Sequence, residues 1–139
     1  MKNKILPIIL LMIILSLTVA CGTSEFDENY QRFKESYIIA TEFVENDGDS
    51  LENLKEMDLD LFESELKKMK EAMDSMRPLA DSKYKEGVYS NVENYYERLE
   101  FLLYAYKNME NLTVKQKGRV YSVMYLVSQS RENIKNGEK

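Results

Sequence analysis

Cys21 is the only thiol in the chain, and it follows Leu17-Thr18-Val19-Ala20 directly. A cysteine sulfur can form a disulfide, bind a soft metal or act as a nucleophile. The chain supplies no second cysteine for the first of these and no histidine to share a metal. The lack of histidine also removes the commonest general base, histidine zinc sites and the Glu-x-x-His ligands of di-iron bundles. Paired carboxylates are the remaining route to acid–base work, but the Asp and Glu residues fall on predicted solvent faces and caps. No enzyme, cofactor or metal site is therefore expected. Asn46-Asp47-Gly48-Asp49 has the composition of a calcium loop, yet Phe43 and Leu54 stand where ligands would be needed. Met57, Met69, Met73, Met76, Met109 and Met124 keep core spacing and read as filler rather than copper ligands. Most Tyr and Phe residues fall on apolar stripes. Phe101 and Tyr104 do not, and are candidates for a partner-facing patch.

The setting of Cys21 decides its chemistry. Lys2 and Lys4 precede an apolar run from Ile5 to Leu17, broken by Pro7 and Ser16, and small residues follow. That order of charge, apolar stretch and small side chains is a secretory signal peptide. The run is short of the about 20 apolar residues a spanning helix needs, and Pro7 would cost such a helix a hydrogen bond. A lone cysteine in an exported chain then lacks a disulfide partner.

Residues 1–22 resemble the signal of bacterial lipoproteins, whose lipobox ends in the modified cysteine. Ala20 before Cys21 and Gly22 after it match that pattern; Thr18 sits where leucine is most frequent, with Leu17 one place early. The resemblance implies cleavage before Cys21 and a diacylglyceryl thioether on its sulfur, with palmitate-type chains. At ~0.8 kcal/mol per buried methylene, two or three such chains make a lasting anchor. It further implies a cell-membrane address on the extracytoplasmic face. Abundant Lys, Asn, Ile and Tyr fit an AT-rich, Gram-positive source.

Cleavage would leave 17 bases (19 less Lys2 and Lys4) against 24 acids, a formal −7. An acidic surface repels phosphate backbones and anionic headgroups, so neither nucleic acid nor a polybasic lipid patch is expected. The division is a signal peptide over 1–20, a lipidated cysteine and short tether over 21–25, and one helical domain over 26–139. A tether at most ~3.5 Å per residue holds that domain within about 15 Å of the bilayer.

Four helices are predicted. Phe26, Tyr30, Phe33, Tyr37, Ala40 and Val44 are spaced four, three, four, three, four, marking a helix from near Glu25 to Asn46. Gly48 suits a left-handed cap and Ser50 a fresh start. Leu51, Leu54 and Met57 open a short piece; Leu59, Phe62, Leu66, Met69, Met73 and Met76 continue as a longer helix to Arg77, stopped by Pro78. Asp60 with Glu63 resembles a capping box, and Glu63 with Lys67 an exposed pair. Ser82 caps a third helix carrying Val88, Val92, Tyr95, Leu99, Leu102, Tyr106 and Met109, apolar nearly all round near Leu99. Thr113 and Gln116 box the fourth, striped by Val114, Val120, Met124, Val127 and Ile134 with Tyr121 and Leu126 beside them.

Short connections make an antiparallel up-down-up-down four-helix bundle the expected all-α architecture, with a three-helix bundle as runner-up. Such a fold places the turns around Gly48 and Leu112 far from Cys21 and the turn at Pro78 near it. An approaching partner would then meet acidic Glu45, Asp47, Asp49 and Glu52 first, with Glu110 nearby. The functional expectation is a non-enzymatic module that binds another envelope or extracellular protein: an accessory subunit of an envelope complex, or an immunity or exclusion factor. The alternative is a ligand-binding lipoprotein delivering a small solute or cell-wall fragment.

Overall fold

The computed structural model describes residues 23–45 and 50–137; the expectations for Leu17, Thr18, Val19, Ala20 and Cys21, and for Asp47 and Asp49, lie outside them. The described residues are all-helical, with no strand. Five α-helices follow one another: α1 (Glu25–Ala40), α2 (Ser50–Lys55), α3 (Leu59–Met76), α4 (Lys83–Lys107) and α5 (Val114–Lys135).

Each boundary has a local cause. The Ser24 hydroxyl accepts the Asp27 N–H at 3.2 Å, and Glu25, Asp27 and Glu28 set negative charge against the N-terminal dipole of α1. The α-helix ends at Ala40, short of the predicted Asn46. Thr41 donates its hydroxyl back to the Tyr37 carbonyl at 2.6 Å, and the chain tightens into a 3-10 turn over Glu42–Glu45. That winding turns each residue further round the axis. Phe43 therefore enters the core while Val44 is left half-buried, the reverse of the predicted stripe.

The break between α2 and α3 falls where the sequence places it, but the cap is different. Asp58 accepts the Leu61 N–H at 3.1 Å, displacing the expected Asp60–Glu63 box. Glu63 pairs across the fold with Lys107 of α4, and no pair with Lys67 forms. Arg77–Leu79 closes as a 3-10 turn around Pro78. Ser82 caps α4, and the Thr113–Gln116 box opens α5 with both reciprocal bonds present.

One apolar cluster joins all four long helices. Phe26, Phe33 and Tyr37 from α1 meet Phe62, Met69 and Met76 from α3, Val92, Leu99 and Leu102 from α4, and Val120 and Val127 from α5. The widest packing is between α1 and α3; α3 lies on α4, α4 on α5, and α5 on α1 and α2. Phe43 meets Phe62 edge-on at 5.9 Å. Lys85 stands over the Phe26 ring, which brings the start of α4 beside the start of α1.

The predicted stripe of α5 holds from Val120 onward and fails before it. Six helical steps separate Val114 from Val120, about 120° out of phase. Val114 is accordingly 89% exposed. Toward its other end polar Ser130 and Arg131 join the buried face.

Glu65 departs from the expectation that every acid is wet. It is 2% exposed: one oxygen takes Lys68 at 2.6 Å, and the other has no hydrogen-bond partner among the described residues. A buried carboxylate oxygen without a donor is destabilising. Glu65→Leu is expected to raise stability by about 1–2 kcal/mol, read from the denaturation midpoint, since it removes that burden and keeps the volume.

Candidate functional site

The end of the molecule where α2 meets the α4–α5 connection carries an open cleft of about 680 Å³, lined by Leu51, Lys55, Tyr106, Lys107, Met109, Glu110 and Lys117 among others. Each wall follows from local structure. The 3-10 turn Met109–Asn111 folds Met109 and Glu110 over the last turn of α4, while α2 leans on α5 and presents Leu51 and Lys55. Lys107 is committed to Glu63; Lys55 and Lys117 have no ion pair among the described residues. Apolar floor and cationic rim together suit a ligand or segment that is part apolar and part anionic.

This end was expected to present acid. Glu52 is exposed on α2 and Glu110 lies in the cleft wall, but lysines share the surface. The predicted helical faces missed them because each lysine comes from a different element and no single stripe holds them.

Phe101 and Tyr104 form a tilted pair on α4, rings 6.5 Å apart. Their positions off the main stripe aim them at α5. The Arg119 guanidinium lies 4.2 Å above the Phe101 ring, and Gln116 donates to the Tyr104 hydroxyl at 3.3 Å. Phe101 is half-buried in this seam and Tyr104 is exposed at its edge. The outer side of α5 adds Tyr121, Tyr125 and Val114, all exposed.

Two smaller grooves flank the exposed Ile39. One of about 430 Å³ is lined by Lys34, Ile38, Ile39 and Ile134, and one of about 310 Å³ by Ile39, Phe43, Leu61 and Phe62 among others.

A polar cluster locks α1, α4 and α5 together. Arg131, 4% exposed, donates to the carbonyl of Ile38 and to the Thr41 hydroxyl, the latter at 3.0 Å. Arg98 donates to Ser130 at 3.1 Å and lies over the Tyr95 ring. Tyr37 stacks on Phe33 and tilts against Tyr95 at 5.5 Å. Burial pushes its phenol well above the ordinary tyrosine value, opposed by the Ser130 hydroxyl and the Arg98 and Arg131 charges. Burial likewise raises Tyr30, Tyr89 and Tyr96; neighbouring tyrosines add to the first, Glu93 and Glu100 to the other two.

These shifts fix a pH dependence. A phenol that ionises less readily when folded leaves stability intact below the unfolded value of 10.0 and erodes it as pH climbs beyond. Thermal midpoints should therefore fall steeply above about pH 10. Tyr37→Phe should flatten that fall while leaving neutral-pH stability within about 1 kcal/mol.

No group of His, Cys, Asp and Glu among the described residues is arranged to hold a metal ion, and no described helix is long and apolar enough to cross a membrane. No known protein family, curated protein or solved structure matches the chain.

Proposed function

We propose that this chain is a lipid-anchored extracytoplasmic lipoprotein, tethered through Cys21, whose helical domain binds another envelope or extracellular protein without catalysis. The observation that carries the reading is the exposure of Val114, Tyr121 and Tyr125 along α5, on the helix that also supplies Lys117 to the lysine-rimmed cleft. Exposed aromatic and apolar groups flanked by charge are what protein interfaces use.

In this reading the helices alternate as an up-down-up-down four-helix bundle. The pairing of Phe43 with Phe62, and of Lys85 with Phe26, supports that alternation. Cys21 lies just before α1, so the cleft stands at the far end, facing whatever approaches. Anchoring confines the search for a membrane partner to two dimensions and raises its effective concentration. An accessory subunit of an envelope complex and an immunity or exclusion factor both use that geometry.

Cys21→Ser is the direct test. The variant should lose the acyl mass carried at residue 21, while its helical circular dichroism is unchanged. An unmodified thiol on wild-type protein, read by mass spectrometry, would overturn the anchor.

A second reading, delivery of a small solute or wall fragment, draws on the cleft of about 680 Å³, a volume in the range of ligand sites. Saturable binding of an anionic fragment, lost in Lys55→Glu and Lys117→Glu, would favour it over a protein partner.

A further inference from the structure

Two grooves meet at one side chain. Ile39 of α1 is 43% exposed and lines both of them. The groove of about 310 Å³ lies between the end of α1 with its 3-10 turn and Leu61 and Phe62 of α3. The groove of about 430 Å³ lies between α1 and Ile134 of α5. Leu61, 40% exposed, stands in the wall of the first, and half-buried Ile38 in the wall of the second. Three helices thus build an apolar ridge with a trough on each side.

Contacts already in place hold both troughs in shape. Arg131 of α5 bonds the Ile38 carbonyl and fixes α1 against α5 at the second. Phe43 and Phe62, which line the first, meet edge-on at 5.9 Å. Walls formed beforehand spare a visitor the cost of ordering them.

Geometry narrows the occupant. Grooves on opposite flanks of a helix are separated by about its diameter, roughly 10 Å. Seven residues of a second helix cover about the same distance. A helix lying across α1 therefore sets residues i and i+7 in the two grooves and turns i+3 or i+4 onto Ile39, where a small side chain fits best. An extended segment gains less, because its backbone N–H and C=O groups would find no strand among the described residues to pair with.

Charge decides its sign. The grooves are lined by Glu35, Glu42, Glu56 and Asp58 against Lys34 alone, and Lys34 is held over the Tyr30 ring. Gln31 donates to Glu35 and the Leu61 N–H to Asp58, but these neutral donors leave both charges in place. Setting aside Glu56, which has a partner of its own, three acids still face one base. A second copy pairing this face with itself would oppose like rims, and anionic headgroups would be repelled for the same reason.

We propose that this ridge docks a cationic amphipathic helix of another polypeptide. Large apolar side chains at i and i+7 enter the grooves, a small one covers Ile39, and Lys or Arg on the flanks face Glu35, Glu42 and Asp58. The site is distinct from the cleft and from α5, and does not depend on the anchor.

The test uses the full-length protein in neutral phosphatidylcholine nanodiscs, with the photocrosslinker benzoylphenylalanine at Ile39 or, as a control, at Tyr84, which is 55% exposed on α4. The probes are two synthetic helices of about five turns, one with Leu and Ala on one face and Lys on the other, the second with Glu in place of Lys. At Ile39 the Lys probe should crosslink about tenfold better than the Glu probe, and raised salt should narrow the gap. Leu61→Lys and Glu42→Lys should each cut that yield several-fold while thermal midpoints stay near wild type, since both positions are exposed. Equal yields from the two probes, equal yields at Ile39 and Tyr84, or no change in Leu61→Lys would each overturn the site. Adducts to lipid or to a second copy in place of the probe would overturn it as well. None of these outcomes bears on the acyl mass at Cys21, so a failure here leaves the anchor standing.

Discussion

Arg131→Met should destabilise the protein by about 2–4 kcal/mol, the loss expected when a charged donor is removed from buried acceptors. Helix α1 has no cation of its own in its last turn; Thr41 serves the Tyr37 carbonyl, and the Ile38 carbonyl turns to α5. Arg131 reaches across from α5 to serve the Ile38 carbonyl and the Thr41 hydroxyl. Methionine keeps most of the volume and neither donor nor charge. For a domain of this size the change corresponds to a drop of about 10–20 °C in thermal midpoint. Arg131→Lys should recover only part of it, since an ammonium cannot reproduce the planar fork. A double-mutant cycle with Thr41→Val should show coupling well above experimental error. Additive losses would mean that the two side chains do not act together.

Phe62→Ala should cost about 3–5 kcal/mol, in line with emptying a buried aromatic site. Phe62 is 1% exposed and packs edge-on with Phe43. Because Phe43 belongs to the 3-10 turn after α1, the cavity would loosen the segment that leads into α2 as well as the core. Urea denaturation should show the stability loss, and hydrogen exchange should rise first in α2 and the turn before it. Phe62→Leu should cost markedly less, because it removes less volume.

Helical periodicity made much of this fold legible. The four-three spacing of Val88, Val92, Tyr95 and Leu99, with Ser82 ahead of it, locates α4 because the same residues that satisfy the period also satisfy the core. Thr113 and Gln116 are equally plain, since a capping box is a local contract between residues three apart. What periodicity could not foretell depends on neighbours remote in sequence. Arg131 reads as a surface cation, and only the unsatisfied end of α1 turns it inward. Glu65 reads as wet and is buried on the core side of α3. The Thr41 hydroxyl bond that ends α1 early competes with a ladder the stripe would have continued. Of the site, Phe101 and Tyr104 were marked by falling off the stripe. The cleft lysines carried no mark, being gathered from three helices. The unbroken absence of acid from 111 to 131 is the signal that would have pointed to Lys117.

The methionines on α3 have one more consequence. Met69, Met73 and Met76 stand in file, all but sealed from solvent, along the helix that α1 covers most fully. Peroxide or hypochlorite outside a cell would convert an exposed thioether to a sulfoxide directly. Here the oxidant must wait for α1 to lift. Each sulfoxide formed would be too polar to re-enter, so every opening long enough to be caught makes the next one easier. At a given dose of oxidant, the lifetime of the protein is then governed by how often its first helix breathes.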